Sequence, residues 1–302
     1  MTISRTDLSE ANGYILEEQG SQVIQDLIAN SAVERFARRE AMASRTKSVP
    51  RFVGDAPVVV AEGAEIPASD PNLNELVLTA RKYAQLMHIS EEDVNDSLVD
   101  TLSVYKREWA SRWARKYDNA ALGVDINKTG EDDAPYLSLY YDVRDNTSNW
   151  DETAGALTYA KLNAALGIVE SSNKFDAANT VFMVHPKMLA EIRGMVQGNQ
   201  NELVLPNPLD ATPGSLFGYP LVVSYGAAVS SVATDAPAGN PLLIVGNRQM
   251  LINGVRGGIE SVVSRDAEFA RDGVVLKTRI RRGFAVADAN AFAIIEKTAG
   301  GI

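Results

Sequence analysis

The chain holds two histidines, His88 and His185, the residue type best suited to moving a proton or binding a metal near neutral pH. They lie in different segments, and neither has a second histidine at metal-ligand spacing. His185 is followed by Pro186 at a predicted strand-to-helix junction, a place that suits a structural role. No cysteine is present, which removes disulfides, thiolate metal sites and cysteine nucleophiles. A phosphate loop of the Walker type, a GxGxxG and a GxSxG are all missing. Gly254, Gly257 and Gly258 fit a turn between strands better than a phosphate cradle. Glu131, Asp132 and Asp133 could hold a cation, but a solvated acidic loop accounts for the same residues. No catalytic, cofactor-binding or metal-binding residue is therefore expected, although a site assembled from scattered residues leaves no such signature.

Charge offers a second kind of chemistry, that of contact between surfaces. The formal net charge is −10 over 302 residues, so the chain repels nucleic acid on average. A container for DNA can be acidic, because its wall must not grip the contents; an acidic enzyme has the same balance. Basic residues nevertheless cluster. Arg35, Arg38, Arg39, Arg45 and Lys47 follow one another near the end of a polar leader. They make either a solvated helix face or a contact with an acidic neighbouring subunit or with DNA. Lys277, Arg279 and Arg281 alternate with Thr278 and Ile280 along a predicted strand, and that face is too basic for a core. It is solvated or salt-bridged across an interface. Glu62, Gly63, Glu65 and Asp70 lie on a turn-rich stretch that supplies acidic partners of the required sign.

The elements that carry these residues follow from periodicity. Hydrophobic residues make up 45% and charged residues 23%, enough for one large domain or two ordinary ones. No apolar run approaches a membrane span, and the start MTISRTDLSE has no apolar signal core. In the leader, 1–47, Val23, Ile24, Leu27 and Ile28 recur at helical spacing, and Val33, Phe36 and Ala37 continue the pattern. Residues 48–89 read as two strands around a wide tip, with Val58–Val60 leading in and a period of two over 76–81. Such a hairpin buries little alone. Over 91–121, Leu98, Leu102, Tyr105, Trp109, Trp113, Tyr117 and Ala120 step by three or four, and Gly123 stops the pattern. The spacing predicts a helix about 46 Å long at ~1.5 Å per residue. A compact α/β region follows: a helix near 156–170, a strand over 180–184, a helix after Pro186, and strands at 221–224 and 242–245. The small-residue stretch Gly226–Asn240 is expected as an exposed loop. Strands at 259–264, 274–282 and 291–296 close the chain.

Seven segments in this order resemble the major capsid proteins of tailed bacteriophages. They are Ser31–Ser44 with its Phe36-Ala37-Arg38-Arg39 run, VAEGAEIPASD at Val60–Asp70, HISEEDVNDS at His88–Ser97, ARKYDNAALG at Ala114–Gly123, VHPKMLAEIRG at Val184–Gly194, LFGYPLVVS at Leu216–Ser224, and RDAEFARDGVVLKTRIRRGFAVADANAF at Arg265–Phe292. Each is weak alone; together they cover nearly the whole chain.

The resemblance implies an α+β fold of that family: an N-terminal arm (1–47), an extended β-hairpin loop (48–89), a peripheral domain on a long spine helix (90–150 with 255–302), and an axial α/β domain (151–254). It implies a structural protein that assembles through hexamers and pentamers into an icosahedral head around double-stranded DNA, without catalysis and without cofactors. An encapsulin-type compartment shell shares the fold and is the alternative. The implied partners are further copies of the chain, a separate scaffolding protein, a portal and DNA held without sequence-specific contacts. No membrane is implied; the place is the virion, assembled in the bacterial host cytoplasm. Glu62, Gly63, Glu65, Asp70, Arg35, Arg38, Arg39, Lys277, Arg279 and Arg281 are the expected subunit-interface residues. Some family members link subunits through a lysine of the extended loop. Residues 48–80 hold no lysine, so that linkage is not expected.

Overall fold

The computed structural model describes residues 31–53, 59–60, 62–63, 65, 72–92, 101–129, 134–197, 202–203, 214–268 and 272–298. The helical spacing at 23–28, the acidic run 131–133, residues 66–71 and the segment 93–100 of the predicted long helix lie outside them.

The chain enters through a short helix, α1 (Ala32–Phe36), and β1 (Arg38–Ala41). Then β2 (Thr46–Val53) pairs antiparallel with β3 (Asn72–Thr79) as the predicted hairpin. Its first strand lies earlier than expected: Val59 and Val60 are outside any strand. After Ala80, β4 (Arg81–Ser90) pairs along its whole length with β14 (Gly273–Val286). Residues 81–89, grouped by sequence with the extended loop, thus form an edge of the main sheet. That sheet has the order β1-β12-β14-β13, with β12 at Leu251–Val255 and β13 at Glu260–Glu268, and β4 on the other side of β14. Gly257, at φ +76°, makes the predicted turn between β12 and β13, while Gly254 lies inside β12.

The spine helix α2 (Thr101–Leu122) buries the predicted stripe from Trp109 to Ala120, while Leu102 and Tyr105 are half-buried. Trp109, Trp113 and Tyr117 stack in succession, with ring centroids 6.5 and 5.1 Å apart. Tyr83 of β4 meets Trp113 and Tyr117 edge-on, and Tyr136 does the same to Tyr117. Aromatic pairs in these geometries add about 0.5–1.5 kcal/mol each beyond area burial. Short helices α3 (Ile126–Thr129) and α4 (Leu139–Asn146) follow, the second capped by Ser138.

The second sheet runs β5-β15-β11-β6-β10-β9, made of β5 (Trp150–Thr153), β6 (Thr180–Val184), β9 (Ser215–Leu216), β10 (Tyr219–Val223), β11 (Leu242–Asn247) and β15 (Phe292–Lys297). A two-residue pair, β7 (Val196–Gln197) with β8 (Glu202–Leu203), stands apart. The central strands are apolar on both faces, and strand alternation divides them between two cores. Val181, Met183, Leu242, Ile244, Phe292 and Ile294 join the spine-helix core. Phe182, Val184, Leu243, Val245, Ala293 and Ile295 face the other way, under α5 (Tyr159–Glu170) and α6 (Pro186–Arg193). Thus β15, grouped by sequence with the peripheral segments, is an inner strand of the α/β sheet. Its alternation between two cores is invisible in a run of apolar residues.

The stretch Gly226–Asn240 is exposed or half-exposed over 231–240, as expected, but departs from expectation at its start, where Ala227, Ala228 and Val229 are buried. Asn119 Nδ2 of α2 donates to the carbonyls of Gly226 (3.1 Å) and Ala228 (2.7 Å). A Cβ on Gly226 would stand 2.5 Å from the Asn119 backbone nitrogen. At 226–228 small residues are there because backbone lies against the helix, not because water does.

Truncating Trp109 removes one member of the stack. Trp109→Ala should cost about 3–5 kcal/mol and lower the melting temperature of the unassembled chain by on the order of 10 °C. A melt unchanged within 2 °C, roughly the shift for 1 kcal/mol, would remove the stack from its structural role.

Candidate assembly surface

The arm is held on the body by buried charge. Asp118, on the spine helix, is fully buried and accepts four hydrogen bonds: from Ser31 Oγ (2.6 Å), the backbone nitrogens of Ala32 (2.8 Å) and Val33 (3.2 Å), and Ser224 Oγ (2.8 Å). One carboxylate therefore joins arm, spine and α/β sheet. Burial lifts its pKa from the ordinary 3.8 to about 6, against the opposing pull of the four donors. Glu34, next along the arm, is buried against Arg282 of β14, and Arg39 reaches the same carboxylate at 3.4 Å. Arg282 also donates to the Gly257 carbonyl (2.9 Å) and lies over the Trp113 ring. None of Asp118, Glu34 or Arg282 was singled out from sequence. The available signals were the pairing of polar Asp118 and Asn119 inside an apolar helix end, and the capping serine Ser31.

The ten expected interface residues fall into three groups. In the arm, Arg38 pairs with Glu40 (3.7 Å), Arg39 with Glu34, and Arg35 lies over Phe36, all within the chain. On the sheet, the predicted alternation holds: Val274, Leu276, Thr278 and Ile280 are buried while Lys277 is exposed. Arg279 pairs with Glu260 of the adjoining strand rather than keeping its charge free. Lys277 and Arg281 meet no carboxylate among the described residues. Across β4 the register sets Lys82 beside Arg281 and Leu86 beside Lys277; across β13 it sets Val262 beside Lys277. Leu86 and Val262 are each 51% exposed, so this face is basic with apolar shoulders. In the loop, Glu62, Gly63 and Glu65 are exposed, with Gly63 at φ +81°, and Asp70 lies outside the described residues. Among the described residues no ion pair joins Glu62 or Glu65 to the basic sheet.

The base of the hairpin is better anchored than its length suggested. Leu78, Val49 and Leu76 pack on Met42, Ile252, Ala285 and Ala287 in a small separate core. Arg51 pairs with Asp288 at 3.2 Å. Its other face presents Ser48, Pro50, Glu75 and Val77 to solvent.

Both histidines make contacts within the fold. His185 caps α6, its Nδ1 accepting from the Lys187 nitrogen at 3.2 Å, and burial depresses its pKa to about 4, so it is neutral at pH 7. His88 lies 2.7 Å from Glu268 on the neighbouring strand. Among the described residues no group of three or more acidic or histidine side chains could hold a metal ion, and no helix is long and apolar enough to cross a membrane.

Because the folded pKa of Asp118 lies above the ordinary one, the folded chain takes up this proton first as pH falls. Its contribution is greatest below about pH 4 and is lost as pH rises through about 6. The natural chain should gain on Asp118→Asn by up to about 3 kcal/mol between pH 7 and pH 4. Paired thermal melts across that window would read the difference; a constant gap would show that the carboxylate does not titrate there.

Residues 12–297 match the model of the phage capsid family. Over 125 residues the chain is 26% identical to a probable major capsid protein of Mycobacterium phage D29, an alignment that takes in 41% of this chain and 39% of that relative. The chain is thus matched over about two fifths of the length of its curated relative. Among solved structures, one from Mycobacterium phage Bobi superposes with a TM-score of 0.70 at 14% identity, covering 99% of this chain and 100% of the other. The capsid of an empty GTA particle gives 0.65 at 18% identity, over 89% and 90%. The arm, hairpin, spine helix and α/β sheet described above are the parts of the tailed-phage major capsid fold, and the chain belongs to the phage capsid family.

Proposed function

We propose that this chain is the major capsid protein of a tailed phage, a structural subunit that assembles through hexamers and pentamers into the icosahedral head around double-stranded DNA. The observation that carries this reading is the family match from residue 12 to 297, which takes in arm, hairpin, spine and both sheets. Members of this family are structural proteins, and the function needs no active site. Modest contacts, repeated by closed symmetry, make a shell far more stable than any one interface.

In this reading 1–47 is the arm and 48–79 the extended loop; 90–150 and 255–291, joined by β4 (Arg81–Ser90), make the peripheral domain, and 151–254 with β15 (Phe292–Lys297) the axial domain around the five-fold and six-fold axes. The chain works in the virion after assembly in the host cytoplasm, with a separate scaffolding protein, a portal and DNA bound without sequence readout. The net charge of −10 suits a wall that does not grip its contents. An encapsulin-type shell is the less favoured reading, because the family match and the named curated relative are phage capsid proteins. Glu62, Gly63, Glu65 and Asp70 dock on a neighbouring copy. Lys277 and Arg281 are the best receivers, since neither meets a carboxylate among the described residues; Arg35, Arg38, Arg39 and Arg279 stand at the margin, largely committed within the chain.

Electron microscopy of the purified chain, alone and with scaffold, should show capsomers or closed shells; a strict monomer under every condition would overturn the reading. Lys277→Glu and Arg281→Glu should leave the melt of the unassembled chain nearly unchanged, within about 0.5 kcal/mol, while blocking shells by opposing like charges. A melting loss as large as that of Trp109→Ala would mean a core had been mistaken for an interface. Deleting 62–71 should likewise leave a folded chain that makes no stable shell.

A further inference from the structure

Basic residues gather in a third place, on the spine helix. Lys106, Arg107, Arg112, Arg115 and Lys116 stand there against one carboxylate, Glu108, in a chain whose net charge is −10. Helical stagger sorts them. Trp109, Trp113 and Tyr117 fill the side that joins Ile280 and Phe284 of β14 in the core, and Lys106 is buried. On the other side Arg107, Glu108, Arg112, Arg115 and Lys116 are exposed and form a ridge. Arg112 pairs with Glu108 at 2.7 Å, while Arg115 and Lys116 meet no carboxylate among the described residues. The Arg115 guanidinium lies 5.0 Å from the ring centroid of the exposed Tyr225, and His185 meets that ring edge-on at 6.3 Å. Tyr225 thus joins the ridge to the first turn of α6, where Lys187 is exposed.

Resting on the shell reading above, we propose that this ridge is where the subunit touches the phosphate backbone of the packaged duplex. The lack of apolar surface selects the occupant. Protein partners meet around an apolar centre, and the basic sheet face supplies one in Leu86 and Val262. From 107 to 116 the ridge exposes charge alone, because Trp109, Ala110, Trp113 and Ala114 are all buried. Phosphate needs nothing more than cations, and the planar arginine fork suits its oxygens. Arg112 and Lys116 stand about 6 Å apart along a straight rod at ~1.5 Å per residue. Duplex DNA presents a charge every ~1.7 Å of its axis, so each cation on such a rod finds a phosphate. The ridge also faces the right way. The spine packs on the Ile280 face of β14 and Lys277 lies on the opposite face, so the two basic surfaces look to opposite sides of the subunit. A subunit that meets neighbouring protein through one has the other left for its contents. Three or so cations on an otherwise acidic wall make contacts weak enough to release the duplex.

Binding of a random-sequence duplex of about 30 bp to the full, unassembled chain tests this by fluorescence anisotropy across salt. The natural chain should lose roughly fortyfold in affinity between about 50 and 200 mM salt, the slope for about three phosphate contacts. Arg112→Gln, Arg115→Gln and Lys116→Gln together should weaken binding at least about tenfold at the lower salt and flatten that slope by about 0.9 per cation removed. Removing the same charge elsewhere, by Lys82→Gln, Lys161→Gln and Lys174→Gln together, should change affinity less than about threefold. Arg112→Lys with Arg115→Lys keeps the charge and should keep most of the binding. Equal losses from the two triple variants, or a loss from the lysine exchange as large as from glutamine, would overturn the ridge as the contact. So would a natural chain that forms shells under electron microscopy yet binds no duplex, and the shell reading would then stand. Polyglutamate displacing the duplex as well as unlabelled duplex does would replace the genome with an acidic protein segment as occupant. A natural chain that forms no shell, with or without scaffold, would overturn the shell reading and the packaged genome with it, whatever the duplex result.

Discussion

Everything in this subunit depends on where it places its buried charge. Asp118, Glu34 and Arg282 lie in the interior, where an ionised group is costly unless its hydrogen-bonding capacity is filled. Asp118 meets that requirement by recruiting donors from the arm, Ser31 to Val33, and from Ser224 after β10. Glu34 meets it with two arginines. Neither carboxylate could stay buried if the arm lifted away. The arm is therefore not a loose leader over its described residues; it is what makes a polar spine-helix end compatible with an apolar core.

The same network reaches the aromatic stack. Arg282 lies over Trp113, whose ring stacks on Tyr117, and the Tyr117 hydroxyl donates to Asn253 Oδ1 at 2.9 Å in β12. Helix, main sheet and arm are thus tied by a chain of specific contacts rather than by apolar area alone. The α/β sheet joins them through the backbone of 226–230, which lies so close to Asn119 and Gly123 that a side chain at Gly226 or Gly123 would clash. A subunit built this way can keep its shape while its outer surfaces take weak contacts, and that is what assembly by repetition needs.

Those outer surfaces are sorted by sign. The chain is acidic overall, yet one sheet face keeps Lys82, Lys277 and Arg281 with apolar Leu86 and Val262 beside them. Arg279 is neutralised within the chain by Glu260, and Arg38 and Arg39 of the arm by Glu40 and Glu34. Internal pairing thus narrows a broad basic strip to a few open positions. Edge strands are sorted too: β13 is broken and charged, while β4 is regular and uncharged through its middle.

Elements whose signal is local are legible in residue order alone. The stripe through Trp109, Trp113 and Tyr117 reads as a helix because 3.6-residue periodicity is written in residue order. The alternation of Lys277 and Arg281 with Ile280 reads as a strand for the same reason. His185-Pro186 announced a helix start, and the hairpin and the order of segments were legible enough to suggest the family. Legible only in three dimensions are the meetings of residues far apart in the chain: Asp118 with Ser31 and Ser224, Glu34 with Arg282, β4 with β14, and β15 between β11 and β5. Local spacing is silent on these because a buried carboxylate and a solvated one have the same letter. Likewise, Gly226–Val229 has the composition of an exposed loop whether water or a helix lies against it. Whether a polar or small residue is buried is set by what packs on it, and that depends on contacts more than a hundred residues away in sequence.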